Sequence, residues 1–222
     1  IRMIAVGDKG ERLKALTEIE LNIFGFFFVS GSFAFTKSTK TVTLSDGTQQ
    51  SVNMLTIGAG NVNAFAGVNG PYLVDSNNDG VIDGSDTPND AALGLALSDV
   101  DFAMALMSAP SPATAPGGSP PPATGAGVDL RKWMALEASV GAAEFVGIDG
   151  LTIKVSSLVV SINQSSGTLG NGTTAVQNST FVDFSADTTL DGTVGTPLLV
   201  ETGPSSTYTI TMDGRGLLKA QG

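Results

Sequence analysis

Apolar residues in this chain recur at every second position in short blocks, which is the period of a β-strand and not of a helix. Ile19-Leu21-Ile23, Phe33-Phe35, Val42-Leu44, Leu93-Leu95-Leu97 and Phe102-Met104-Leu106 follow it in the first half. Leu151-Ile153-Val155, Leu158-Val160-Ile162 and Tyr208-Ile210-Met212 follow it in the second. Thr, Val, Ile and Phe fill these blocks, as strand propensity requires. Gly, Asn, Asp and Ser separate them and supply turns. The pattern predicts an all-β protein. Thr41–Val52 reads as a hairpin turning at Asp46-Gly47, where glycine adopts a positive φ at little steric cost. Asp129–Ser139 fits a short helix or a strand, and the spacing of Met134 and Leu136 favours the strand. Residues 108–127 form a Pro/Ala/Gly/Ser segment without alternation, predicted as an exposed loop of polyproline character. It divides the chain into 1–107 and 128–222. The polar stretch Asn163–Thr180 is predicted as a second surface loop.

The blocks also repeat one another. Asn63–Gly70 (NAFAGVNG) matches Ala143–Gly150 (AEFVGIDG) at an offset of 80. Leu93–Met104 (LGLALSDVDFAM) matches Leu151–Ile162 (LTIKVSSLVVSI) at an offset of 58. The difference between the offsets, 22, is the length of the segment 71–92. The first half therefore reads as the second half with residues 71–92 inserted. Val29–Phe35 is a looser third copy. Small β-units of this kind cannot bury an apolar face alone and cover one another, as in repeat folds. The expected architecture is an elongated, β-solenoid-like stack, with a β-sandwich as the alternative.

A longer period is visible too. Asp8–Ala15 (DKGERLKA) matches Asp213–Ala220 (DGRGLLKA) at an offset of 205, with Asp, Leu, Lys and Ala identical. On this reading residues 1–222 are one module of a tandem array, running into the same strand that follows Ala15.

Composition narrows the chemistry. The chain contains no Cys and no His, so triads, imidazole bases, thiolates and disulfides are excluded. A metal would have to be held by oxygen, which selects hard cations. The formal charge of −10 argues against a nucleic-acid partner. No apolar run approaches the length of a membrane span.

Within those limits one motif carries chemistry. Asp75, Asn77, Asp79, Asp83 and Asp86 stand at positions 1, 3, 5, 9 and 12 of a twelve-residue loop, with Gly80 at position 6. Val81 at position 7 offers its backbone carbonyl. This is the ligand order of an EF-hand loop, and it predicts a calcium site with a structural role. Position 12 is Asp rather than the longer Glu. Neither flank reads as a helix, so the loop is expected to be embedded in β-structure.

Other candidates are read mainly as structural. Asp99 and Asp101 are expected on a solvated strand face. Glu137 and Glu144 are the pair a glycosidase would need, but read first as surface carboxylates. Trp133 is the sole Trp and reads as a core residue before a sugar platform. Three glycosylation sequons begin at Asn163, Asn171 and Asn178. Phe24, Phe26, Phe27 and Phe28 are expected to bury against neighbouring units.

The loop 75–86, NAFAGVNGPYLVDSNNDGVIDGSDTPN around it, and KWMALEASVGAAEFVGIDGLTIKVSSLVVSIN after the Pro-rich loop resemble the tandem modules of giant bacterial exported, adhesin-like proteins. The calcium loop itself resembles those of dockerins, where Asp at position 12 is common. The resemblance covers roughly residues 13–222 without the Pro-rich loop. It implies calcium binding, an extracellular or cell-surface location, and a structural or adhesive role without catalysis. Its implied partners are neighbouring copies of the chain, covalently in tandem or as separate subunits joined end to end, and surface glycans. The alternative function is a carbohydrate-binding or polysaccharide-degrading β-protein.

Overall fold

The computed structural model describes residues 2–6, 12–23, 25–110, 128–151, 153–171, 174–188 and 191–222. Most of the Pro-rich loop, Asp8–Gly10 and Phe24 lie outside them. The described residues contain strands and no helix, as the alternation predicts.

In chain order the strands are β1 (Arg2–Val6), β2 (Arg12–Ile23), β3 (Phe27–Leu44), β4 (Gln49–Val68), β5 (Leu73–Val74), β6 (Thr87–Pro88) and β7 (Leu93–Ser108). After the Pro-rich segment come β8 (Lys132–Val146), β9 (Ile153–Ser166), β10 (Thr168–Asn171) and β11 (Thr174–Gln177). The chain ends with β12 (Val182–Asp183), β13 (Leu198–Glu201), β14 (Thr207–Ile210) and β15 (Leu217–Gln221). One large antiparallel sheet runs β1-β2-β3-β4-β7-β8-β9-β15 and does not close into a barrel, while β12 pairs with the end of β3. Asp129–Ser139 joins it as the start of β8, so the strand reading holds. The hairpin reading of Thr41–Val52 holds as well. Gly47 sits at φ 78° and donates its N–H to the Leu44 carbonyl at 2.8 Å.

The similar sequence blocks fall on matching hairpins. β4 and β7 form one, joined through residues 71–92. β8 and β9 form the other, joined by the short turn around Gly147 and Gly150. Both belong to the same sheet, so the halves on either side of the Pro-rich loop are not separate bodies.

These strands are long, up to 20 residues in β4, because a line of irregular backbone lets each one bend and continue. Asn61, Asp99 and Ser157 have φ of 51°, 54° and 58° inside β4, β7 and β9. The repeat offset of 58 places Asp99 on Ser157, and the offset of 80 places Asn61 on Gly141. At each site the in/out alternation changes phase. On β4 the covered residues are Val52 and Met54 before the irregularity and Phe65 after it. On β7 they are Ala103, Ala105 and Met107 on one side and Ala96 on the other.

Two covers occupy this face. The β13-β14 hairpin lies across β4, β7 and β8 and closes the main core of Leu44, Met54, Trp133, Phe184 and Ile210 with their neighbours. Residues 71–92 lie over the other end, where Phe65, Ala92 and Ala96 pack with Phe28 and Tyr72. The hairpin approaches closely because the sheet beneath it is small: Ala103, Ala105 and Ala135 are fully buried. Gly58 faces the β13 backbone directly, and a β-carbon there would overlap the Glu201 carbonyl oxygen.

The stretch predicted as a polar surface loop, 163–180, is different. Asn163 is fully buried, β9 runs to Ser166, and β10 pairs with β11. Its polar composition misleads because Asn163 Nδ2 finds its acceptors inside the fold, donating to the carbonyls of Val182 at 2.9 Å and Asp213 at 3.0 Å, while Oδ1 is buried without a partner.

Gly58→Ala should therefore displace the hairpin and lower stability by about 1–3 kcal/mol, the usual cost of overpacking. Urea unfolding of the two proteins measures it, and an unchanged midpoint would contradict the close approach.

Candidate functional site

The ladder of β5 and β6 closes the twelve-residue loop at its base, pairing Leu73 with Pro88 and Val74 with Thr87. Strands thus flank the loop, as the Gly and Pro around it led one to expect. Inside it, short polar side chains bond backbone N–H groups just ahead in the chain, which curls the loop inward. Asn77 Oδ1 accepts from the Asp79 N–H at 2.9 Å, and Asp79 Oδ1 accepts from the Val81 N–H at 2.8 Å. Asp75 Oδ2 accepts from the Gly80 N–H at 3.0 Å. Asn78 and Gly80 take the left-handed φ values this curl needs, 60° and 79°.

Asp86 ties the loop's ends together. Its side chain is 6% exposed, Oδ1 accepts from the Ser76 N–H and Oδ2 from the Asp83 N–H, each at 3.0 Å. The Ser85 hydroxyl at 2.7 Å and its N–H at 2.8 Å hold the Asp83 carboxyl below its ordinary value. The back of the loop is pinned to the sheet, where Asn63 Nδ2 donates to the Ile82 carbonyl at 2.7 Å. Ile82 turns toward Phe28, Phe65 and Tyr72, which with it line a cleft of about 40 Å³.

Asp75 Oδ1 stands apart in this loop. It is buried and no N–H or O–H reaches it, and a buried acceptor without a partner is costly. The other loop carboxylates each have an oxygen engaged by the loop's own N–H groups. Among the described residues, no three Asp, Glu, His or Cys side chains converge as a metal cage. The donor set nevertheless suits a hard cation: it is all oxygen, and Asp75 Oδ1 lacks the partner a cation would be.

The remaining sequence candidates separate. Glu137 and Glu144 are seven residues apart on β8, about 23 Å along an extended strand. Glycosidase carboxylates need roughly 5–9.5 Å, so the structure does not bring this pair together. Glu137 lies under the C-terminal hairpin and accepts from the Thr211 N–H at 3.3 Å. Glu144 lies under residues 71–92, accepts from the Tyr72 hydroxyl at 3.0 Å and pairs with Lys154 at 3.4 Å. Trp133 is 2% exposed, donates to the Thr180 carbonyl at 2.9 Å and carries Arg131 over its ring at 5.2 Å. It is a core residue and not a sugar platform.

Asp99 is exposed and Asp101 half-buried, and Asp101 Oδ1 accepts the Asn61 N–H at 2.9 Å and braces the irregular backbone of β4. Of the sequons, Asn163 is sealed in the core. Asn178 has its amide engaged with the Lys132 and Ser166 carbonyls. The Asn171 sequon extends beyond the described residues. Phe28 packs on Phe65 with ring centroids 6.3 Å apart, whereas Phe26 and Phe27 are about half exposed.

Comparison with protein families, characterised proteins and solved structures found no match to this chain.

Sequence reasoning missed Tyr72. Burial, together with the Glu144 carboxylate it bonds, pushes its hydroxyl above the ordinary value. The Pro71-Tyr72 position inside an insertion gave no alternation to mark it. It also missed that Glu137 is half-buried: burial pushes that carboxyl up against the lowering effect of the Thr211 N–H. A raised folded value means the folded state holds this proton more tightly than the unfolded chain. Stability from this group is present at low pH and is lost as pH rises from the ordinary carboxylate range through the raised value. Glu137→Gln should abolish that loss, so its advantage over wild type grows toward neutral pH. Urea midpoints measured across pH would show it, and parallel curves would contradict it.

Proposed function

We propose that this chain is one module of a calcium-stabilised, repetitive structural protein at the bacterial cell surface or outside it, in a fibre or an adhesin stalk. Successive copies continue end to end in one polypeptide. The observation that carries this reading is the placement of β15. It stands beside β9 as β2 stands beside β3, and its Leu218-Lys219-Ala220 repeats the Leu13-Lys14-Ala15 of β2. β15 is on this view the β2 of the following module.

The register supports it. A row of paired residues crosses the sheet from Ala15 through Phe35, Ile57, Met104, Leu136 and Ile162 to Leu218. The offset of 205 equates Leu218 with Leu13, so each module advances the register by two residues. An even step keeps every strand's faces in phase, and an odd step would turn the apolar side over. Six strands per module extend the sheet by about 29 Å. Twist accumulated over many modules would wind it into an elongated, solenoid-like ribbon.

Calcium has a defined place in this reading. Asp75, Asn77, Asp79, Asp83 and Asp86 would supply side-chain oxygens and Val81 its carbonyl. The ion's part is to neutralise four carboxylates within twelve residues. The shorter Asp86 in place of Glu fits a weak site, of the class that fills at extracellular calcium levels. No enzymatic role is proposed. The separation of Glu137 from Glu144 and the burial of Trp133 remove the residues named for the polysaccharide-acting alternative. Among the described residues, no helix is long and apolar enough to cross a membrane.

Calcium at about a hundred times its dissociation constant should stabilise the module by about 2.7 kcal/mol. Chelator should reverse the gain and Asp75→Ala should abolish it. Thermal melts with no calcium response would defeat the metal assignment. The tandem reading is tested by a two-module chain in which residue 222 runs into residues 18–222 of a second copy. Cysteines replacing Ala220 and the second copy's Phe35 should then form a disulfide, as Ala15 pairs with Phe35 in β2 and β3. Failure to cross-link would defeat it.

A further inference from the structure

The face of the sheet opposite the two covers is apolar and open. Phe28, Ser32 and Thr36 of β3 meet residues 71–92, Gly203 and Glu201, so Phe27, Val29, Phe33 and Phe35 point the other way. Their neighbours across the sheet are equally apolar. Phe27 pairs through Ala66, Leu95 and Phe145 to Ile153. Phe27, Phe35, Leu55, Leu95, Leu106 and Ile153 are 37–54% exposed, against 1% for Met54 and 3% for Met107 on the covered side. By alternation on either side of the irregularity, Lys37 and Lys132 are the charges that β3, β4, β7, β8 and β9 bring to this face, at one end, and exposed Asp99 stands at the irregularity itself.

We propose that this open face is the interface for a second copy of the chain, packed back to back. Size is the first argument. Six strands about 4.8 Å apart and about ten residues long make a face of roughly 800 Å². That exceeds the few hundred Å² of apolar patch a monomer ordinarily exposes. Two copies would bury about 1,600 Å², the area of a standard stable interface.

Side-chain relief is the second argument. The row Phe33-Ala59-Phe102-Ala138-Val160-Ala220 alternates a large residue with alanine, whereas the row Phe35-Ile57-Met104-Leu136-Ile162 is large on every strand, so the face carries low places at Ala59 and Ala138 beside high ones. Two-fold symmetry with opposed strand directions places the two lysine ends apart. Sheets paired in this way sit about 10 Å apart with their inner side chains interdigitated.

Sedimentation of the full chain in calcium buffer across the micromolar range tests the proposal. The wild type should sediment as a dimer. Leu95→Glu and Leu106→Glu, at opposite ends of the face, should each weaken it at least tenfold with the far-ultraviolet circular dichroism of the folded chain unchanged. Leu199→Glu, exposed on the outer side of the β13-β14 hairpin, should leave the dimer intact. A wild type monomeric at all concentrations would overturn the proposal, and would turn attention to residues 111–127 or a different partner as the cover. A dimer lost in Lys219→Pro but kept in both glutamate variants would also overturn it, since that is association through the sheet edge.

Discussion

The change of phase at Asn61, Asp99 and Ser157 is the constraint on which the rest of the molecule depends. A strand shows alternate residues to alternate faces, so a cover that docks at one end sees one parity. Without an irregularity, a long bent strand holds that parity to its other end. In β4, β7 and β9 a left-handed residue shifts it midway. Two chemically different covers, residues 71–92 and the C-terminal hairpin, then close the same side of one sheet. Asp101 accepting the Asn61 N–H shows how such backbone is held inside a sheet, where an orphan N–H would otherwise be costly.

That arrangement leaves a one-sided protein. The chain's own elements cover one face with Trp133, Phe184 and Ile210 in its core, and leave the other to Phe27, Phe35 and Leu95. It also ties the loop 75–86 to the sheet through the Asn63 amide on Ile82, while Tyr72 on Glu144 and the Asn69 and Asn89 amides anchor its flanks.

How much of this was legible depended on whether a signal was local. The turn at Asp46-Gly47 was, because its geometry is set by the two residues that form it. So were the twelve-residue loop and the strand character of each block. The length of β4 was not, because the shift at Asn61 makes one 20-residue strand read as two short ones. The role of Asn163 was not, because its partners at Val182 and Asp213 lie far along the chain. Glu137 and Glu144 looked like a pair only while the extended strand between them was unknown.

Sequence alone determined the β period, the hairpin turns, the oxygen-only donor set and the kinship of the two halves. These follow from side-chain alternation and from residue types at fixed spacing, which no distant contact alters. Tertiary structure decided which face of each strand is covered, which carboxylates are buried, and that Trp133 is core. Those outcomes depend on where the C-terminal hairpin and residues 71–92 come to rest. That is set by the small residues that admit them, Gly58 and Ala103 among them, and no periodicity along the chain records it.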